Sequence, residues 1–506
     1  MSITLTDQDK LTLRVAAWGA VSLMSAAGAA GSAHRAGTEG SIALTSATGL
    51  VGHVLSKAPK GVKYGKTVAE LADQVLPALT ASMSLLGEQD PAEADNFRRT
   101  VLVAVEAAGR GQKGEPSPTM AEMARKIGAA LDAASATPAE GSGTLAGQDR
   151  PELRKVLQEF VDAGFAGIQL RLRDERGEWV GSAGVRELGQ DAAPPTNGSF
   201  RIGSATKTFV ATLVLQLVAE GKVGLDDPAA DHLPEFGLDR RITVRMLLQH
   251  TSGVFNFTGE YYEDGTIAPG IPWAGQEWVD NRFKTYAPEE LVRFALAKPA
   301  RFEPGTDWSY ANTNYVLARL LIEKVTGRSF AEELQRLILG PLGMSDTMAP
   351  GTSTEIPEPH AHSYYRYEED GQDRTVDVTR QNPSWISAGG DLISTTQDLA
   401  TFFSALNGGK LLPAPLLAEM RDPHPKIGYG LGVFAQDLGQ DSGTVYHHNG
   451  GIAGYGTLMY STPDGGTTLT ASVNYVDDAA MSLAGEFQTV LVKLIDQVFA
   501  GEQAGR

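Results

Sequence analysis

Residues Phe200–Pro234 run FRIGSATKTFVATLVLQLVAEGKVGLDDPAADHLP. Within them Gly203-Ser204-Ala205-Thr206-Lys207 stands immediately before an apolar run, Thr208 to Glu220, whose pattern predicts a helix. A serine in the first turn of such a helix lies near unsatisfied backbone N–H groups, and a lysine three positions on shares its face. The two are then a nucleophile beside a base, provided that the lysine is desolvated or set beside another cation, because its ordinary pKa of about 10.4 would leave it protonated. A lone S-x-x-K also arises by chance about once in a chain of this length, as a helix cap with a surface lysine.

Two further signals lie downstream. Tyr310-Ala311-Asn312 is reached through Pro304-Gly305-Thr306-Asp307-Trp308-Ser309 and leads into a helical stretch, Tyr315 to Thr326. A tyrosine hydroxyl near Lys207 can shuttle the serine proton, and the Asn312 amide can accept from an ammonium and donate to a substrate carbonyl. The plain alternative is a turn with a packed aromatic. His448-Asn449-Gly450-Gly451 precedes a strand pattern, and its glycines let a substrate lie against the strand edge. The Gly451 N–H, with that of Ser204, would form an oxyanion hole, whose donors are worth about 3 kcal/mol each when removed. A polar turn is the alternative there.

The order S-x-x-K, Y-x-N, H-x-G, with roughly a hundred residues or more between successive signals, resembles the serine β-lactamase family. Phe200 to Pro234, Leu247-Leu248-Gln249-His250-Thr251-Ser252-Gly253, the YANTNY segment and Ser387-Ala388-Gly389-Gly390-Asp391 look like its class C β-lactamase and actinobacterial D-alanyl-D-alanine carboxypeptidase branch. The likeness covers roughly residues 150–500. It implies an acyl-enzyme at Ser204, proton exchange through Lys207 and Tyr310, a site lined by Asn312 and His448, and Gly451 at the oxyanion. It also makes His250 a structural histidine and not the base.

One departure bears on substrate. The resemblance implies that carboxypeptidases of this branch hold a substrate carboxylate with hydroxyl residues flanking the H-x-G glycine and an arginine after a Gly-Tyr-Gly-Leu-Gly stretch. Here Asn449 and Gly451 occupy the hydroxyl positions, and Gly428-Tyr429-Gly430-Leu431-Gly432 continues into Val433-Phe434-Ala435-Gln436. Without a desolvated cation a carboxylate binds poorly. Asn449, Gly450, Trp308 and Trp385 are expected to contact substrate, and Phe255, Phe257, Tyr261 and Tyr262 to border the cleft or pack as core, which favours an apolar acyl group. The expected activity is hydrolysis of a small ester, amide, D-amino-acid peptide or β-lactam. D-alanyl-D-alanine carboxypeptidase activity and a non-catalytic binding protein on the same fold are the alternatives.

Outward from these motifs, strand patterns stand at both ends of residues 150–506 with helices between. Ile168–Leu172 and Trp179-Val180 flank a turn at Asp174–Gly177, and Thr457–Tyr460 and Thr468–Tyr475 flank Pro463-Asp464-Gly465-Gly466. An α+β fold is expected, with an antiparallel sheet flanked by helices and a helical subdomain. Residues 1–134 read as a small all-α domain in which Val68, Leu71, Val75 and Leu79 recur at helical spacing, with helix starts at Pro91 and Pro118 and a stop at Gly109 and Gly111. An Ala/Ser/Thr/Pro/Gly linker at 135–149 separates the two. The first domain's role is open between protein contacts, oligomerisation and gating.

The chain has 506 residues, no cysteine and a formal charge of -18, with 42% hydrophobic and 21% charged residues. That acidity argues against nucleic acid or an anionic membrane as partner, and the missing cysteines exclude disulfides, thiolate chemistry and Cys-ligated metal. His360 and His362 lack a third ligand, so neither a metal nor a cofactor is expected. The run Val15–Ala30 has Asp7 and Asp9 where an export signal needs positive charge, which favours the cytoplasm.

Overall fold

A computed structural model describes residues 5–27, 38, 41, 44, 49–55, 57–59, 68–110, 118–133, 149–262, 264–439 and 443–500. The chain divides into two compact units, Met1–Gly143 and Thr144–Arg506. All but Asp149 of the expected linker lies outside the described residues.

In the first unit the described residues form helices α1 (Asp7–Ala27), α2 (Gly49–Leu55), α3 (Val68–Gln89), α4 (Pro91–Arg110) and α5 (Pro118–Ala133). Pro91 and Pro118 open their helices, where the missing N–H costs nothing because the first turn has no partner for it. Of the apolar positions read from the sequence, Leu71, Val75 and Leu79 are buried and Val68 packs against them, in a core shared with Leu13, Val54, Phe97 and Ile127.

The second unit is built on α6 (Pro151–Asp162), β1 (Gly167–Asp174), β2 (Gly177–Gly184), α7 (Thr206–Ala219), α8 (Asn312–Thr326), α9 (Thr396–Asn407), β3 (Phe434–Asp437), β4 (Thr444–His447), β5 (Gly450–Ile452), β6 (Tyr455–Ser461), β7 (Thr468–Asn474) and α10 (Ala484–Ile495). The strands form one antiparallel sheet in the order β2-β1-β7-β6-β4-β3, with β5 also beside β6. Successive side chains of a strand face opposite sides. Leu170, Leu458 and Ala471 therefore meet Phe160 of α6 and Leu494 of α10 on one side, whereas Tyr455 and Met459 meet α7, α8 and α9 on the other.

Helix α7 is buried on nearly every side, from Thr206 through Leu215, as an apolar helix without a solvent face must be. Its Phe209 stacks on Phe402 of α9 with ring centroids 3.7 Å apart. This packing fixes the helix whose first turn carries Ser204 and Lys207. Strands β4 and β5 continue one line along β6, since Tyr446↔Ser461 and Gly450↔Thr457 share a register. His448 and Asn449, in the gap between them, thus point to opposite faces.

Truncating Phe209 to Ala is expected to cost about 3–5 kcal/mol through the cavity left between α7 and α9. Denaturant unfolding followed at the second unit's tryptophans checks this; a cost below about 1 kcal/mol would show that the two helices repack freely.

Candidate active site

Ser204 lies in a short 3-10 turn, Gly203–Ala205, that runs into α7. Gly203 has φ +51°, and a Cβ there would stand 2.7 Å from the Gly451 nitrogen. A Cβ on Gly450 would stand 2.0 Å from the Ile202 carbonyl oxygen and 3.0 Å from the Ser204 nitrogen. The backbones of 202–204 and 450–451 therefore press together at a distance only glycine permits, which brings the N–H groups of Ser204 and Gly451 to one corner.

Around Ser204 Oγ, Tyr310 Oη donates at 2.8 Å and Lys207 Nζ lies at 3.2 Å. Lys207 is fully buried, with Nζ 2.7 Å from Asn312 Oδ1, 2.6 Å from the Gly389 carbonyl oxygen and 4.6 Å from the Tyr310 ring centre. Burial holds its pKa well below the usual lysine range. A neutral amine has two N–H donors and one lone pair; the two shorter contacts go to atoms that can only accept, so the lone pair is left for the Ser204 hydroxyl. Asn312 is held by its own donation from Nδ2 to Thr258 Oγ1 at 3.2 Å. Burial raises the Tyr310 phenol, which stays protonated and able to donate.

His448 is buried on the same side of the sheet. Its Nδ1 faces the Asn449 carbonyl oxygen at 2.8 Å and, since a carbonyl only accepts, carries the proton; Nε2 faces Tyr429 Oη at 3.3 Å. Burial, with Lys207 nearby, pushes its pKa down to about 3, so the ring is neutral at ordinary pH. The arrangement can take a proton from a serine hydroxyl, offer two backbone N–H groups to a developing oxyanion and return a proton from a phenol.

The family model described as Beta-lactamase matches residues 153–489. The chain belongs to the beta-lactamase family. It is 25% identical over 346 residues to the putative penicillin-binding protein PbpX of Bacillus subtilis, covering 68% of this chain and 78% of that one. Among solved structures it is similar to a D-stereospecific amidohydrolase from Streptomyces sp. (37% identity, TM-score 0.60, 70% of this chain and 99% of that one). It is also similar to D-amino acid amidase from Ochrobactrum anthropi SV3 (27% identity, TM-score 0.56, 69% and 98%). Within the beta-lactamase family this chain is a serine hydrolase with the α+β fold expected from its strand and helix patterns.

The structure brings Ser204, Lys207, Tyr310, Asn312, His448, Gly450 and Gly451 together, and treats the expected substrate contacts differently. Asn449 is turned away from the cleft by strand alternation, and its Nδ2 donates to Tyr460 Oη at 2.8 Å on the far face of the sheet. That corrects its expected place against substrate. Trp385 is 8% exposed, in the core, with Nε1 donating to Gln381 at 3.3 Å. Trp308 is half-buried behind Tyr310, with ring centroids 6.4 Å apart. Phe255 and Phe257 are core, whereas Tyr261 is exposed on a short hairpin. Among the described residues no group of three His, Asp or Glu side chains could hold a metal.

Sequence reasoning undervalued His250. Its carbonyl accepts the Ser309 N–H at 3.0 Å, its Nδ1 accepts the Ala311 N–H at 3.2 Å, and its ring lies 4.3 Å from that of Tyr310. It thus holds the backbone on both sides of Tyr310, from a left-handed position (φ 62°) that ends the helix Val244–Gln249. Acceptance at Nδ1 puts the proton on Nε2, and burial keeps the ring neutral. Nothing in the local pattern of residues 247–253, two leucines followed by Gln-His-Thr-Ser-Gly, signals a bond to a loop sixty residues on.

His250→Ala is expected to lower kcat about tenfold or more with KM little changed, since it loosens Tyr310 without touching substrate. His250→Asn, whose side-chain oxygen can still accept from Ala311, should recover part of the loss. Ester kinetics beside thermal melts check this; a change in KM alone, or no kinetic change in a folded variant, would refute it.

Proposed function

We propose that the chain hydrolyses small amides and esters whose leaving group carries no charge, with D-amino-acid amides as the favoured class. The observation that carries the chemistry is the contact set at Ser204 Oγ, Tyr310 Oη at 2.8 Å and Lys207 Nζ at 3.2 Å; a neutral Lys207 with its N–H groups on two obligate acceptors turns its lone pair to the serine hydroxyl. Lys207 takes the serine proton as Oγ bonds to the carbonyl carbon, and the oxyanion meets the N–H groups of Ser204 and Gly451. As the C–N bond breaks, the leaving nitrogen takes the Tyr310 proton, which the Lys207 ammonium restores. Water then attacks the ester carbon, giving up a proton to the same pair, and the acid departs with Ser204 regenerated.

The substrate class rests on what borders the nucleophile. Asn449 faces away, Gly451 has no side chain, and β3 with the turn before it supplies no arginine, so a terminal carboxylate would meet no desolvated cation. A neutral carboxamide needs none. The amidase names of the two structural neighbours support the same class.

Incubation with D- and L-phenylalaninamide, N-acyl-D-alanyl-D-alanine, nitrophenyl esters and a fluorescent penicillin tests the proposal. The D-amide should release ammonia and the ester nitrophenol, the dipeptide should stay intact, and mass spectrometry should find penicillin label on Ser204. Ser204→Ala is expected to remove at least about a thousandfold of the rate. Release of D-alanine with no amide turnover would replace the proposal with a carboxypeptidase, and unlabelled Ser204 with no turnover would favour a binding protein.

The pH profile is a separate check. The base form of Lys207 is the neutral amine, so kcat/KM should rise with pH through a lowered lysine pKa, well below about 10.4. His448 is neutral above about 3 and should add no limb near pH 6–7. A rising limb at the ordinary lysine value would remove Lys207 as base.

A further inference from the structure

The carbonyl that meets Lys207 belongs to a turn, and the turn is not relaxed. Ser387–Gly389 form a short 3-10 turn in which Ser387, fully buried, sits at φ 47°. That is the left-handed region, which a residue with a Cβ keeps only where its surroundings hold it. What the turn touches makes its position matter. The Gly389 carbonyl oxygen lies 2.6 Å from Lys207 Nζ, and a Cβ on Gly389 would stand 3.1 Å from Asn312 Oδ1, the other acceptor on that amine. A Cβ on Gly390 would stand 3.2 Å from the carbonyl carbon of Gly203, and the Leu392 N–H donates to Thr206 Oγ1 at 3.3 Å. A shift of this turn therefore reaches both acceptors of the base and the residues on both sides of Ser204.

The hold comes from behind. Arg319 lies two turns along α8 from Asn312 and hence on the same face. Its Nη1 donates to Ser387 Oγ at 3.1 Å and lies 3.8 Å from Oδ2 of the buried Asp391, two residues past the turn. The guanidinium is itself fixed. Nε donates to Glu323 Oε1 at 3.1 Å, an oxygen that also takes the Phe330 N–H, and its central carbon lies 5.6 Å from the Phe330 ring centre. One helix thus sets Asn312 against Lys207 at its start and, seven residues on, braces the turn that carries the second acceptor.

We propose that Arg319 is a positioning residue for the general base: by holding Ser387 in its left-handed conformation it keeps the Gly389 carbonyl on Lys207 Nζ, and with it the lone pair of the amine on Ser204. It acts through the turn and not on the reacting atoms. The proposal rests on Lys207 being the base, but not on the class of amide or ester hydrolysed.

Nitrophenyl ester kinetics of the full-length protein, beside thermal melts, test this. Arg319→Met is expected to lower kcat about tenfold with KM little changed. Ser387→Ala leaves the contacts of Arg319 with Asp391 and Glu323 in place and should still lower kcat about threefold or more. The double variant should be no slower than Arg319→Met alone, because both changes remove one hold. Ser387→Gly in the Arg319→Met background should recover much of the loss, since glycine takes a positive φ unaided; a general support of the fold by Arg319 would not be restored in this way. Native kcat in folded Arg319→Met or Ser387→Ala, losses that multiply in the double variant, or no recovery with Ser387→Gly would each overturn the proposal. Should Arg319→Met not fold, Ser387→Ala decides alone on the same criterion. Lys207→Met separates the two levels: a folded Lys207→Met with native rate removes the base and this proposal with it, whereas an inactive Lys207→Met beside unimpaired Arg319 and Ser387 variants removes the positioning role only.

Discussion

The second unit is organised around an amine that water cannot reach. Lys207 sits in the first turn of a helix buried on nearly every side, where a charged ammonium would forfeit its solvation by water. The fold answers with a neutral amine and two acceptors, one from the start of α8 and one from the turn at Gly389. That turn is itself underpinned: Arg319 of α8 donates to Ser387 at 3.1 Å and approaches the buried Asp391 at 3.8 Å. Three separate stretches of chain are in this way tied to one nitrogen, and the nucleophile's position follows from theirs.

Much of this could be read from the residues, for reasons that differ by element. Helices α4 and α5 and the hairpin of β1 and β2 announce themselves by local means: proline at a first turn, a two-residue turn between paired runs. The helix read from Tyr315 begins earlier, at Asn312, because Ala311 takes an extended conformation that starts the helix there. The chemical residues were legible through type and order, as Ser204, Lys207 and Tyr310 illustrate. What a residue type does not encode is which side of a strand it occupies. Asn449 was expected at the substrate because its neighbours are; a register that can be counted only across β6 sends it the other way. His250 was hidden for a related reason, since its partners lie in a loop distant in sequence.

Strand β4 and its continuation into β5 show how one segment serves two environments. Its even-numbered side chains face the helix of Ser204, and its odd-numbered ones face α10. His447 and His448 are adjacent, yet one is stacked between aromatic rings at the back and the other bonded to a tyrosine beside the nucleophile. Both are kept neutral by burial. A rigid segment of this kind transmits displacement instead of absorbing it, because glycine contacts at 203 and 450 leave no slack between it and the nucleophile's turn.

The order of strands in the sheet has a bearing on the protein's birth. β1, near the start of the second unit, is hydrogen-bonded along its whole length to β7, whose partners Asn474 and Thr468 oppose Gly167 and Arg173. The intervening helices can gather by short-range contacts while the chain is still emerging from the ribosome, but the sheet has no centre until its last strands arrive. Until then Gly451 has no β6 to lie along, and the nucleophile lacks its second backbone donor. A chain that stops before β6 and β7 therefore lacks the centre of this sheet and the strand along which Gly451 is held.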